Sequence, residues 1–194
     1  MAFADDGTPY AVSGNMSIIS HGLFTVDTAN GQSTLIGNLG NGSEDGEALA
    51  YNPDDGLLYH AAGLGNPNNN AVGEILETID PATCVGAPSF ACDVTNVPLS
   101  GFDYEELTAL VYVDGGFFAG DLGDAEVDMP RFFRITTTGV VTYLGDMDHV
   151  AKGFVVAGPA NLPALPAPML GVLAASLLVL GSWWLSGTSR AART

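Results

Sequence analysis

Two cysteines, three histidines and 22 acidic side chains are the groups with which this 194-residue chain could do chemistry. Cys84 and Cys92 bracket a short insertion, TCVGAPSFACD. Two thiols so spaced lack the two further ligands a structural zinc requires. In an oxidising compartment, closing so short a loop would stabilise the fold by roughly 2.5 kcal/mol on the chain-entropy argument, so a disulfide is expected. His21, His60 and His149 are scattered, with no HxH or HExxH spacing to place two on one face of an element, and surface or turn positions are expected for them. There is no G-x-S-x-G, no Cys–His nucleophile signature and no phosphate-cradling loop. The carboxylates could supply an acid/base pair of the glycosidase kind, but no spacing singles out two of them, so no catalytic residue is assigned.

Calcium is the one cofactor the residue pattern raises. In NGSEDGE, Asn41, Ser43 and Asp45 stand at the offsets that open a calcium loop, with Gly46 after them. Position twelve of that frame is Asn52, where a bidentate glutamate belongs. A second run, Asp121, Asp124, Glu126 and Asp128, is denser in oxygen ligands but has no glycine at the sharp turn. Neither is an EF-hand. The expectation is a looser extracellular calcium site, set against solvated acidic loops that keep the body soluble.

The placement of charge divides the chain. Its formal net charge is −17, and every acidic residue lies between Asp5 and Asp148, where Arg131 and Arg134 are the only cations. Only Lys152, Arg190 and Arg193 follow, and no side chain from 153 to 189 is charged. Nucleic acid is excluded as a partner, because phosphate binding needs clustered cations. An apolar share of 47% excludes a disordered acidic tail.

Residues 169–185, MLGVLAASLLVLGSWWL, would reach roughly 26 Å as a helix, at the short end for a bilayer span. Trp183 and Trp184 suit the membrane interface. The basic end at Arg190 and Arg193 puts the C-terminus in the cytoplasm and the acidic body outside. Before the span, Leu162, Pro163, Pro166 and Pro168 belong to NLPALPAP, an extended spacer. Four segments result: an acidic body over 1–158, the spacer over 159–168, a transmembrane helix over 169–185 and a basic tail over 186–194. The order of proline motif, short apolar span and basic end resembles the bacterial C-terminal sorting tags of the PEP-CTERM and IPTL-CTERM types. It departs from them in lacking the Glu of the PEP motif and the Trp that follows IPTL. The resemblance implies export, transient inner-membrane anchoring and removal of the tag by an exosortase-type peptidase.

These pieces must be positioned by an all-β body, because the acidic region repeats itself. LFTVDTANGQSTLIGNL at 23–39 recurs as EILETIDPATCVG at 74–86 and FFRITTTGVVTYLGDM at 132–147, aligning Val26, Ile79 and Ile135. ALAYNPDDGLLYHAAG at 48–63 matches MAFADDGTPYAVSG at the start and LVYVDGGFFAGDLG from Leu110, a period of about 55 residues. Short alternating runs between Asn, Asp, Gly and Pro clusters predict strands and hairpins, about thirteen strands in all. The wording resembles secreted bacterial β-propeller-like proteins built on LYxIDxxTGxxTxIG and LAYxPxDGxLY repeats. That implies a display or binding scaffold of four-stranded blades.

About three blades fit in the chain, fewer than the four to eight with which propellers usually close. Met1 also stands at the equivalent of Leu49, inside a repeat, so an N-terminally truncated propeller is expected, with a small open sheet or sandwich as the alternative. The functional expectation is an exported, membrane-tethered or surface-sorted module for display, binding or envelope structure, with an extracellular ligand that the residues do not name. The alternative is an envelope hydrolase or lyase on a propeller scaffold, marked by carboxylates and histidine around a central pocket.

Overall fold

Aspartate and glycine set the corners from which the strands run. The computed structural model describes residues 1–14, 17–39, 47–64, 74–101, 106–123 and 129–155, all within the first of the chain's two units, Met1–Val156. They form twelve strands: β1 (Ala2–Phe3), β2 (Pro9–Val12), β3 (Gly22–Val26), β4 (Ser33–Asn38), β5 (Glu47–Asn52), β6 (Leu57–Leu64), β7 (Glu74–Val85), β8 (Ala91–Val97), β9 (Leu107–Val113), β10 (Gly116–Asp121), β11 (Arg131–Thr136) and β12 (Val141–Asp146). No helix is found among the described residues. The strands make three four-stranded antiparallel sheets, β1–β4, β5–β8 and β9–β12, each a meander in chain order. The all-β repeat architecture expected from the sequence is thus present.

The repeat is visible at the turns. Between β1 and β2 the Asp6 carboxylate accepts the Thr8 amide at 2.8 Å, and between β5 and β6 the Asp55 carboxylate accepts the Leu57 amide at 2.9 Å. The same Asp bond recurs after β3 and, at a register break, within β7. Asp27 accepts the Ala29 amide at 2.8 Å and Asp80 the Ala82 amide at 2.9 Å. Such side-chain-to-backbone bonds two residues on make Asp a turn former. The β9–β10 hairpin instead turns through Asp114 at φ 45° and Gly115 at φ 77°. Positive φ at both central residues matches the twist of the flanking strands, and glycine adopts it without strain.

The middle sheet is apolar on both faces. Leu49, Leu58 and Ile79 pack with Ala2, Leu23 and Leu39 of the first sheet region. Ala50, Tyr59, Ala61 and Leu76 pack with Leu110, Phe117, Phe133 and Ile135 of the third sheet. Side chains on a strand alternate between faces, so β5 and β6 read as near-continuous apolar runs because both sides are covered. The two interfaces are built from equivalent positions. Ala2, Tyr10 and Leu23 point from the first sheet toward the second, as Ala50, Tyr59 and Leu76 point from the second toward the third.

The sheets adjoin through their first strands, β1 against β5 and β5 against β9. Farther out, β4 meets the β7–β8 hairpin, where the Asn38 amide donates to the Phe90 carbonyl at 2.6 Å. After β8, Ser100 bridges to Val140 beside β12.

Candidate functional site

Strands β5 and β9 line a small cleft together with Met1, just before β1, and the segment after β12. Its walls are Met1, Ala48, Leu49, Thr108–Leu110 and Lys152–Phe154, enclosing about 60 Å³. The Thr108 hydroxyl donates to the Ala151 carbonyl at 2.7 Å, which fixes that segment against β9. Lys152 is exposed and is the one ionisable side chain among the described residues of the lining. No Asp, Glu or His is among the described residues that line the cleft, so they bring no acid/base pair to it.

Carboxylates and phenols gather instead at the β5–β6 turn, 52–56. Asn52 Nδ2 donates to Asp55 Oδ2 at 2.7 Å, and the buried Tyr59 hydroxyl donates to the same oxygen at 3.0 Å. The Asp54 carboxylate accepts a short hydrogen bond from the Tyr112 hydroxyl, so a side chain of β9 in the third sheet is held by a turn of the second. The Phe117 ring lies between them, 4.4 Å from Tyr59 and 5.3 Å from Tyr112 by centroids. Burial, then the Asp55 carboxylate, pushes the Tyr59 phenol up to about 12. The bond to Asp54 likewise raises Tyr112.

A phenol that holds its proton more tightly in the fold contributes stability below pH 10, and loses that contribution as pH rises through about 12. Urea midpoints should therefore fall between pH 10 and 12, and less steeply in Tyr59→Phe. An identical slope in that variant would remove Tyr59 from the account.

Of the expected calcium ligands, Asn41, Ser43, Asp45, Asp124, Glu126 and Asp128 lie outside the described residues. Asp121 is fully buried at the end of β10. Its Oδ1 accepts the Arg131 amide at 2.6 Å and its Oδ2 the Arg131 Nε at 3.1 Å. Burial pushes the Asp121 carboxyl up, and the Arg131 amide and guanidinium pull it only part of the way back. Among the described residues, no three His, Cys, Asp or Glu side chains are grouped to hold a metal ion.

The expected disulfide joins Cys84 to Cys92. The insertion between them lengthens the hairpin rather than only its turn, since β7 runs on to Val85 and pairs with Ala91. The sulfur of Cys92 sits directly over Gly37 of β4, where a Cβ would have no room. Linking residues eight apart in sequence stabilises by about 2.5 kcal/mol on the chain-entropy argument. Reduction with dithiothreitol should lower the unfolding free energy by that order, read from urea titrations. An unchanged midpoint would mean that the bond only decorates the hairpin.

The histidines do not converge. His149 is exposed after β12 and His21 lies in the turn before β3. His60, for which a surface or turn position was expected, is buried on β6 with its Nδ1 2.9 Å from Oε1 of the buried Glu77 on β7. Residues 60 and 77 sit directly opposite across the β6–β7 ladder. Aligning the two repeated strands in register was the signal that could have paired them.

Comparison with protein-family models, with curated proteins and with solved structures returned no match. The architecture and side chains of this chain therefore carry the functional reading. The sorting motif and membrane-flank residues Leu162, Pro163, Pro166, Pro168, Trp183, Trp184, Arg190 and Arg193 lie outside the described residues, as does 169–185. Among the described residues no helix is long and apolar enough to cross a membrane.

Proposed function

We propose that the chain is an exported β-repeat protein, tethered to a bacterial inner membrane or sorted to the surface, that serves as a display, binding or structural module of the cell envelope. Its three meander sheets are read as consecutive propeller blades. The observation that carries the scaffold reading is the use made of the turn carboxylates. Asp6, Asp27 and Asp55 each accept a backbone amide two residues on at a corner between strands, as Asp80 does within β7, so these carboxylates brace the scaffold. The blade reading is supported by first strands that adjoin in series and by interfaces that repeat position for position. The disulfide supports an oxidising destination.

In this reading the span over 169–185 anchors the chain with the acidic body outside, until an exosortase-type peptidase removes the tail. The loops at one end of the sheets present acidic side chains to cations, calcium among them, or to cationic partners. The test is protease accessibility in bacterial cells producing the chain with an epitope after Thr194. External protease acting on spheroplasts should destroy the body and spare the epitope. A body protected until the cells are lysed would overturn the proposal.

A further inference from the structure

The β7–β8 hairpin reaches past its own sheet to hold the outer strand of the first. Its ladder runs from Leu76–Val97 to Asp80–Asp93, then breaks register and resumes at Val85–Ala91. Across the break the Asp93 amide donates to Thr83 Oγ1 at 2.9 Å, and the Cys84–Cys92 disulfide ties the two strands just short of the Val85–Ala91 pair. Beyond the break the hairpin meets β4 at two adjacent residues. The Asn38 amide donates to the Phe90 carbonyl at 2.6 Å, and the sulfur of Cys92 fills the space over Gly37 where a side chain would stand. Phe90 makes its bond from φ 45°, in the left-handed region that a non-glycine residue keeps only where its surroundings hold it.

We propose that the Cys84–Cys92 disulfide is a redox-operated latch, which holds the outer edge of the first sheet to the second when oxidised and releases it when reduced. Both cysteines are half-buried, within reach of a small dithiol. A thiolate of the dithiol bonds to one cysteine sulfur as the Cys84–Cys92 bond breaks. Its second thiol then displaces that sulfur and closes the reductant's own disulfide, leaving two electrons and two protons on Cys84 and Cys92. Bonded sulfurs lie well inside the contact distance of two separate thiols, so the reduced pair needs more room. Toward β4 there is none, because the Cys92 sulfur already rests on the Gly37 backbone. Either β4 gives ground, or a thiol turns outward and the tip is no longer tied across the register break. Both routes free Asn38 from Phe90. The release is local, since Leu23 and Leu58 are fully buried between the two sheets whatever the tip does. The half-buried Ile36 and Val94, packed beside the cysteines, are the side chains it uncovers. The edge thus answers to thiol–disulfide poise, closed where dithiols are scarce and open where they are kept reduced. None of this depends on the export proposed above.

The test is amide hydrogen exchange of the full chain in detergent, read peptide by peptide before and after dithiothreitol. Exchange at 36–39 and at 84–92 should quicken by about tenfold to a hundredfold, the opening that loss of a short closed loop allows, while β3 and β6 stay protected. The double variant Cys84→Ala with Cys92→Ala should exchange quickly at both places without reductant and be indifferent to it. Quickening of the hairpin alone, with 36–39 unchanged, would overturn the latch, because the bond would then serve only its own hairpin. No change at either place would overturn it as well. So would equal quickening of β3 and β6, since the bond would then be holding the whole body. A double variant as protected at 36–39 as the oxidised wild type would do the same. The dithiothreitol comparison uses the wild-type chain, so the latch stands or falls on it even where the double variant does not fold.

Discussion

Asp121→Ala is expected to lower the unfolding free energy by about 3–5 kcal/mol, the usual cost of removing one partner from a buried ion pair. The carboxylate is fully buried and takes both the backbone amide and the Nε of Arg131, whose side chain is itself only 10% exposed. Without Asp121, the guanidinium loses its carboxylate in a site from which water is largely excluded. The native pair is nonetheless not a large net source of stability. Burial raises the Asp121 carboxyl more than Arg131 lowers it, so the ionised form is held at a cost. The sign follows: this group's contribution is most favourable at pH below its unfolded value and is lost as pH rises through its folded value. Replacing both members, as Asp121→Leu with Arg131→Met, should therefore recover most of the loss. Urea titrations of the single and double variants at neutral pH decide it. A double variant as unstable as Asp121→Ala would mean that the pair, rather than its breaking, holds β10 to β11.

The second large effect is expected at Phe117→Ala, again a loss of about 3–5 kcal/mol. Phe117 is fully buried between the second and third sheets and touches Tyr59 from one and Tyr112 from the other. Truncation removes the ring from water-free packing and leaves a cavity that sheets pinned by the Tyr112–Asp54 bond cannot readily close. The loss should be accompanied by a fall of the Tyr59 phenol toward its ordinary value, because part of the burial that raises it would be gone. Spectrophotometric titration at alkaline pH reads that shift directly. A loss below 1 kcal/mol would show that the two sheets slide together and fill the space.

Local features of this protein were legible because they depend on neighbours in sequence. Asp55 and Gly56 mark a turn whatever surrounds them, and the alignment of Val26, Ile79 and Ile135 marks equivalent third strands. The bond between Cys84 and Cys92 needs only a short hairpin. The pairing of His60 with Glu77 was not legible, because it depends on the β6–β7 register. Slipping that register by one residue would turn the partner to the other face. The same holds for Asp121, which belongs to an acidic run in sequence but is answered in space by Arg131.

Composition and periodicity by themselves determined that this chain has an acidic, all-β repeat body and that its acidic residues end before a long apolar segment. Alternation with a period of two is a property of each strand and can be read one residue at a time. Only the tertiary structure decided which carboxylates are consumed by amides, guanidinium and phenols, and which sheet face meets which. Those choices are made by strand register and by the stacking of whole sheets. A buried polar group must find its partner wherever the chain happens to bring one, near in sequence or far.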